Sequence, residues 1–345
     1  MDKIKVLVVG ASGYMGVQLI KLLIKHKGTK IVYLCGNNSI GKDINYFDNK
    51  IKKKTLPKII KFNKKLTKNI DVIFTATPNG DAHKISKYLN NDQYLIDLSA
   101  DFRLNSPRNY LKWYKKPHGA KNKIKNSIYA LPEIVSKKVK SYNIISCPGC
   151  YPTSVLLALI PLIKNKLIKS NNIIIDSKSG YSGAGRTVHK KYKNKNLYES
   201  LSVYGIKNHR HNPEIQQELN QISKKKVEFN FTPHLSPMFR GIISTIYVDL
   251  EKTSSLNKVT ECLKKEYNTH EFIKIMKKNV LLSTNNVINT NNCEISICSS
   301  KNKNKIIILV AIDNLIKGGT GQAIQNFNNL FNFKSNEGLK WSIYF

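Results

Sequence analysis

The stretch that most restricts the possible folds lies at the N-terminus. Ile4-Lys5-Val6-Leu7-Val8-Val9 reads as a buried strand and runs straight into Gly10-Ala11-Ser12-Gly13-Tyr14-Met15-Gly16. Val17, Leu19, Ile20, Leu22, Leu23 and Ile24 then recur as on the core-facing side of a helix. Strand, glycine turn and helix in that order form the context in which a glycine pattern reads as a dinucleotide site. The glycines let the backbone approach a pyrophosphate, which rests on the helix N-terminus. The spacing here is G-x-x-G-x-x-G, a variant of the commoner G-x-G-x-x-G.

Further strands follow at Ile31–Cys35, Asp71–Thr75 and Gln93–Ser99, separated by helical segments such as Ala82–Leu89. This alternation predicts a Rossmann-type doubly wound parallel sheet over residues 1–149. An NAD-specific site places an Asp or Glu at the end of the second strand for the ribose 2′-hydroxyl. Gly36-Asn37-Asn38-Ser39 has neither, and Lys42 follows, which favours a 2′-phosphate and hence NADP. Asp97-Leu98-Ser99-Ala100-Asp101-Phe102-Arg103 leaves the sheet at its ligand-binding end, which places Arg103 among the candidate anion binders.

Ser146-Cys147-Pro148-Gly149-Cys150-Tyr151-Pro152-Thr153 links an apolar strand (Tyr142 to Ile145) to the apolar helix that begins around Ser154. Pro148-Gly149 is turn chemistry, and Pro152 suits a first helical turn. Cys150 therefore falls where helix amides point outward, a position that lowers a thiol pKa and makes a nucleophile. Cys147 precedes the turn and reads as packing. A thioredoxin-like Cys147–Cys150 pair is the competing reading, and activity in Cys147→Ala separates the two.

Beyond residue 150 the pattern changes to runs of strands, at Asn172–Ser177, Val227–Thr232, Gly241–Leu250 and Lys305–Asp313. This predicts an α+β catalytic and dimerisation domain over 150–313 with a mostly antiparallel sheet, and 314–345 returning to the first domain. His209-Arg210-His211 supplies two imidazoles that share one side if the segment is extended, with Arg210 opposite. Pro213-Glu214 starts a polar helix. Ser283–Asn292 reads as an exposed loop.

The chain has 57 Lys and Arg against 22 Asp and Glu, a formal charge of +35. The lysines are spread along the whole length without aromatic interleaving, so the excess reads as surface drift and no nucleic-acid partner is expected. Only five of the basic residues are arginine: Arg103, Arg108, Arg186, Arg210 and Arg240. Where lysine serves every general need for charge, a retained arginine marks a place that needs a planar fork. Arg108 reads as plain surface. No apolar run approaches the eighteen or so residues of a membrane span, and no secretory pattern opens the chain. Six scattered cysteines suit a reducing cytoplasm. One C-x-x-C without a second pair is an incomplete zinc set, so no metal is expected.

Several of these segments, taken together, resemble one family. They are the Gly10–Gly16 turn, Leu98–Arg103, Tyr129-Ala130-Leu131-Pro132-Glu133, Cys147–Thr153, Ser179–Arg186, His209–Ile215 and Lys317-Gly318-Gly319-Thr320-Gly321-Gln322-Ala323. In order and over nearly the full chain, they are similar to N-acetyl-gamma-glutamyl-phosphate reductases. The resemblance implies an NADPH-dependent step of arginine biosynthesis acting on an acyl phosphate, a homo-oligomer, and a fold shared with aspartate-semialdehyde dehydrogenases. It implies Cys150 as nucleophile and His209 or His211 as acid/base. The candidate cofactor contacts are then Gly10, Ser12, Gly13, Tyr14, Met15, Gly16, Ser39, Thr77, Ser179, Gly180 and Asn314, and the candidate substrate contacts Arg103, Arg186 and Arg240. The chain departs from the family pattern at Met15, where Thr is usual, and at Asn37, near which an Arg is usual.

Overall fold

The computed structural model describes residues 2–51, 56–186 and 199–340. The chain divides into two units, Met1–Pro148 with Gly319–Phe345, and Gly149–Gly318.

In the first unit the strands are β1 (Ile4–Val9), β2 (Thr29–Cys35), β3 (Ile59–Ile60), β4 (Val72–Thr75), β5 (Tyr94–Asp97), β6 (Ser127–Tyr129) and β7 (Ile144–Ser146). They lie in the order β3-β2-β1-β4-β5-β7-β6, and every pairing among these described strands is parallel. Parallel strands are covered on both faces, which is why Val6, Leu7 and Val8 are all fully buried instead of alternating. Helices α1 (Tyr14–Lys25), α2 (Asp81–Ser86), α3 (Pro107–Tyr114) and α4 (Pro132–Val135) connect them. The C-terminal helix Gly321–Phe331 belongs to this unit. Its Phe327 is buried beside Phe74, and its Asn328 Oδ1 meets Nε2 of the buried His26 at 2.8 Å.

Two glycines of the first turn are there because backbone passes too close for a side chain. Gly10 has φ +90°, and a Cβ on it would stand 2.2 Å from the Ala76 carbonyl oxygen. A Cβ on Gly16 would stand 2.1 Å from the Gly10 oxygen, so α1 can start directly against the end of β1.

The second unit holds β8 (Ile173–Gly180), β9 (Ser202–Val203), β10 (Phe229–Ser236), β11 (Ile242–Asp249), β12 (Ile273–Ile275), β13 (Cys293–Ser299) and β14 (Lys305–Ile312), in the order β12-β13-β14-β11-β8-β10-β9. The sheet is mostly antiparallel but mixed, because β8 runs parallel to β10 and β12 parallel to β13. Parallel neighbours need a crossover of a dozen or so residues, whereas antiparallel ones can share a tight turn. Helix Asn212–Ser223 lies in the first crossover. The second contains Ser283–Asn292, where Ser283, Asn285, Asn286 and Asn289 are exposed as a loop should be, while Val287 and Asn291 are buried. Helix α5 (Cys150–Lys164) is buried continuously from Tyr151 to Ile163, as a helix apolar all round must be.

Gly16→Ala puts a methyl group into backbone that cannot move aside and is expected to cost about 1–3 kcal/mol or more of stability. Gly13, where the nearest such atom is 3.6 Å away, is expected to tolerate alanine with a loss under about 1 kcal/mol. Urea unfolding of the two variants checks the difference.

Candidate active site

Helix α5 begins at Cys150 with Gly149 as its N-cap, and no side chain of its own caps it. The cap is built from a distant segment. The Gly149 N–H donates to Glu214 Oε2 at 3.0 Å, and Glu214 is fully buried at the start of helix Asn212–Ser223. A Cβ on Gly149 would fall 2.3 Å from His211 Nε2, so the imidazole lies directly on the glycine that precedes Cys150. His211 Nε2 is 3.9 Å from Glu214 Oε1. From the other side Gly318 closes in, where a Cβ would be 2.7 Å from the Cys150 Cβ. The Cys150 Cβ is thus packed against Gly318, while the glycine before it carries one imidazole against its Cα and one carboxyl group on its amide.

The His209–His211 segment is not extended as the i, i+2 argument supposed. It is a turn in which the Asn208 and His209 N–H groups both donate to the Gly205 carbonyl. The two rings nevertheless meet, 4.8 Å apart. The His211 N–H donates to His209 Nδ1 at 3.1 Å, and Tyr151, Tyr204 and Phe231 pack edge-on against His209. With Nδ1 an acceptor, the neutral His209 ring carries its proton on Nε2, which faces the Tyr204 hydroxyl at 3.3 Å. Burial, and then the charge of Arg210, push the His209 pKa down to about 4. Arg210 itself is exposed.

Cys147 differs from Cys150 in burial. It is fully buried, and burial followed by the neighbouring Asp97 pushes its thiol up to about 12. Cys150 is half-buried, and all six cysteines are free thiols.

The loop after β8 is zipped to the one before β11: Gly180 N–H donates to the Gly241 carbonyl, Tyr181 to Met238 and Ser182 to Phe239. Asn314 holds the same corner, its Oδ1 accepting from the Gly241 N–H at 2.7 Å and its Nδ2 donating to Ser182 Oγ at 2.9 Å. Arg240 stands beside it, with Nη1 on Asp313 Oδ2 at 3.1 Å and on Asn289 Oδ1 at 2.7 Å. Ser179, Gly180, Arg240 and Asn314 are therefore neighbours in the second unit. Arg186 is half-buried after Gly185, whose φ is +82°, and directly precedes residues outside the described ones.

In the first unit Arg103 is buried, donating Nε to the Cys147 carbonyl at 2.9 Å and Nη2 to the Leu98 carbonyl at 3.1 Å. Just before it, Asp101 accepts from the Gly80 and His83 amides and from the Tyr110 hydroxyl. His83 and His118 both direct Nε2 at the Asp101 carbonyl, at 3.0 and 2.9 Å, while their Nδ1 atoms accept the Gly119 and Ala120 N–H groups. Burial, followed by His83, lowers His118 to about 4.

The glycine turn fits a dinucleotide pyrophosphate. Helix α1 has Gly13 as N-cap with no side-chain cap and no acidic residue in its first turn, where Tyr14, Met15 and Gly16 lie. Beside Gly10, Thr77 Oγ1 is buried without a hydrogen-bond partner among the described residues. Ser39 Oγ donates to Ser12 Oγ at 3.0 Å. Among the described residues no cluster of His, Cys, Asp or Glu could hold a metal, and no helix is long and apolar enough to cross a membrane.

Sequence reasoning read Pro148-Gly149 as a turn and Pro213-Glu214 as a helix start, quoted Gly318 inside a larger motif, and gave neither these three nor Asp313 a part in the site. A carboxylate two residues into a helix, directly after a proline, was the one available hint for Glu214.

Residues 5–142 match the family model for the semialdehyde dehydrogenase NAD binding domain, and 150–314 that for the semialdehyde dehydrogenase dimerisation domain. The chain is 43% identical over 346 residues to an N-acetyl-gamma-glutamyl-phosphate reductase of Vesicomyosocius okutanii, covering 98% of each chain. It is 42% identical to one of Clostridium botulinum, covering 97% of this chain and 98% of that one. A probable chloroplastic N-acetyl-gamma-glutamyl-phosphate reductase of Arabidopsis thaliana is 38% identical, over 97% of this chain and 84% of that one. Among solved structures, aspartate semialdehyde dehydrogenase II of Vibrio cholerae, complexed with ASA, superposes with a TM-score of 0.71 at 15% identity, over 96% of this chain and 99% of that one. The Candida albicans aspartate semialdehyde dehydrogenase with NADP gives 0.68 at 16%, with the same coverage. At these identities the solved structures establish the fold.

Two outcomes follow from the site. Limited treatment of the folded chain with iodoacetamide is expected to label Cys150 and to leave Cys147 unmodified until denaturant is added, as read by peptide mass spectrometry. A histidine held below its ordinary pKa of 6.5 binds fewer protons when folded than when unfolded. It therefore stabilises fully above 6.5 and loses that stabilisation as pH falls toward 4. The melting temperature should decline across that window, and less steeply in His118→Gln.

Proposed function

This chain belongs to the N-acetyl-gamma-glutamyl-phosphate reductase family, and on that footing we propose that it reduces N-acetylglutamyl 5-phosphate to N-acetylglutamate 5-semialdehyde and phosphate, a step of arginine biosynthesis, with Cys150 as its nucleophile. The observation that carries the residue assignment is the close approach of Gly318 to the Cys150 Cβ, with His211 lying on the preceding Gly149.

The Cys150 thiolate attacks the acyl carbon, the carbon–oxygen bond to phosphate breaks, and a thioester remains on the sulfur. The Gly10–Gly16 turn would hold NADPH, which when bound would supply the hydride that brings the acyl group to the aldehyde level. The sulfur–carbon bond then breaks, and Cys150 keeps the electron pair as thiolate. His211 holds the proton taken from the thiol, with Glu214 Oε1 3.9 Å from its Nε2. His209 does other work. With its pKa pushed down to about 4, it accepts the His211 backbone N–H, and its ring packs 4.8 Å from that of His211. The acid/base assignment therefore goes to His211.

Arg103, Arg186 and Arg240 are the proposed anion contacts for the substrate phosphate and carboxylate. Arg103 and Arg240 are anchored on backbone or on Asp313, which fixes their guanidinium planes. Gly10, Ser12, Gly13, Tyr14, Met15, Gly16, Ser39 and Thr77 are assigned to the cofactor, with Ser179, Gly180 and Asn314 from the second unit. The six free thiols are in keeping with a reducing cytoplasm. Assembly as a homo-oligomer is proposed through the face of the second sheet that carries Ile174, Tyr247, Thr232 and His234, where Ile174 and Tyr247 are exposed.

Phosphate-dependent reduction of NADP⁺ with N-acetylglutamate semialdehyde tests the reading, with aspartate semialdehyde as the competing substrate. Cys150→Ser is expected to abolish turnover and keep NADP⁺ affinity within two-fold, while Cys147→Ala stays active. His211→Gln should lower kcat by about 10²–10⁴, and His209→Gln by clearly less. Ordinary turnover in Cys150→Ser would end the covalent scheme.

A further inference from the structure

We propose that Lys42 is the residue by which this chain distinguishes a 2′-phosphorylated dinucleotide from a plain one, an inference that rests on the NADPH reading above. In a doubly wound parallel sheet the adenosine ribose lies off the end of the second strand, beside the glycine turn. The loop after β2 reaches that turn here, since Ser39 Oγ donates to Ser12 Oγ at 3.0 Å. From Gly36 to Phe47 the sequence is Gly-Asn-Asn-Ser-Ile-Gly-Lys-Asp-Ile-Asn-Tyr-Phe, in which Lys42 is the only cation. No carboxylate stands at Gly36–Ser39 to accept a ribose 2′-hydroxyl.

The loop holds Lys42 in place by its backbone. Gly36 N–H donates to the Ile60 carbonyl at 3.1 Å and Gly41 N–H to Ile59 at 2.8 Å, with Gly41 at φ +81° turning the chain back. Lys42 N–H donates to Ser39 at 3.2 Å, and the Ile59 N–H donates to the Lys42 carbonyl at 3.0 Å. The side chain is exposed, and its ammonium rests 3.9 Å over the Tyr46 ring. That cation–π contact restricts a flexible stem before any ligand arrives, which reduces the entropy lost on binding. Ile40 and Tyr46, in the same loop, are 53% and 69% exposed. A cation beside an exposed aromatic ring suits an adenosine carrying an extra phosphate: the ring takes the purine and the ammonium takes the dianion. Asn37 and Asn38, also exposed, offer amide donors to the same group.

The test is isothermal titration of the full chain with NADP⁺ and NAD⁺, and with adenosine 2′-monophosphate and adenosine 5′-monophosphate as fragment probes. Lys42→Ala is expected to weaken NADP⁺ and the 2′-monophosphate about ten-fold, equivalent to about 1.4 kcal/mol. The same change should leave NAD⁺ and the 5′-monophosphate within two-fold. Lys42→Arg should retain the preference. Equal weakening of both dinucleotides, or no change in either, would overturn the assignment. So would loss of the preference in Lys58→Ala or Lys61→Ala, the exposed cations flanking β3, with Lys42→Ala unaffected. A native chain that bound NADP⁺ no better than NAD⁺ would instead remove the cofactor reading beneath it.

Discussion

The start of helix α5 rests on one arrangement: an imidazole lying on a glycine whose amide is held by a buried carboxylate. With any side chain at position 149, His211 could not occupy its place. Without Glu214 the first amide of a buried helix would be left unpaired, a cost of the order of 1–3 kcal/mol. Because Glu214, His211 and His209 come from one turn and the helix it leads into, a single segment caps α5 and brings two imidazoles together.

Close backbone approach recurs wherever chemistry is assigned. Gly10 and Gly16 let a helix begin against a strand, Gly318 lies against the Cys150 Cβ, and Gly180 against the Arg240 backbone. In each case a missing side chain makes room for the backbone or the Cβ of another residue. Buried carboxylates act as the complementary device. Asp101 gathers amides and a tyrosine hydroxyl, Asp313 gathers amides and Arg240, and Glu214 gathers an amide, so each converts loop backbone into fixed geometry. The large excess of lysine sits mostly outside these clusters, which is how a chain of +35 formal charge keeps an ordinary interior.

Much of the first unit was legible from local signals. Continuous apolar runs announce parallel strands, and a glycine turn between strand and helix announces the pyrophosphate site, because both depend on residues adjacent in sequence. The second unit was less legible. Its sheet mixes parallel and antiparallel pairs, and Ser283–Asn292, which reads as a polar loop, buries Val287 and Asn291 in a crossover. Composition could not reveal that, since asparagine side chains satisfy a buried turn as well as they suit an exposed one.

By itself the sequence determined the order of elements, the position of Cys150 at a helix start and the candidacy of two histidines, all of which follow from spacing along the chain. Only the tertiary structure separated those histidines. The burial that lowers His209, and the glycine that admits His211, are set by residues some sixty positions away or on other elements. Likewise it was folding that left one thiol half-exposed at α5 and sealed the other, three residues earlier, in the core. Local pattern governs what a segment becomes, while desolvation and contact depend on what packs against it.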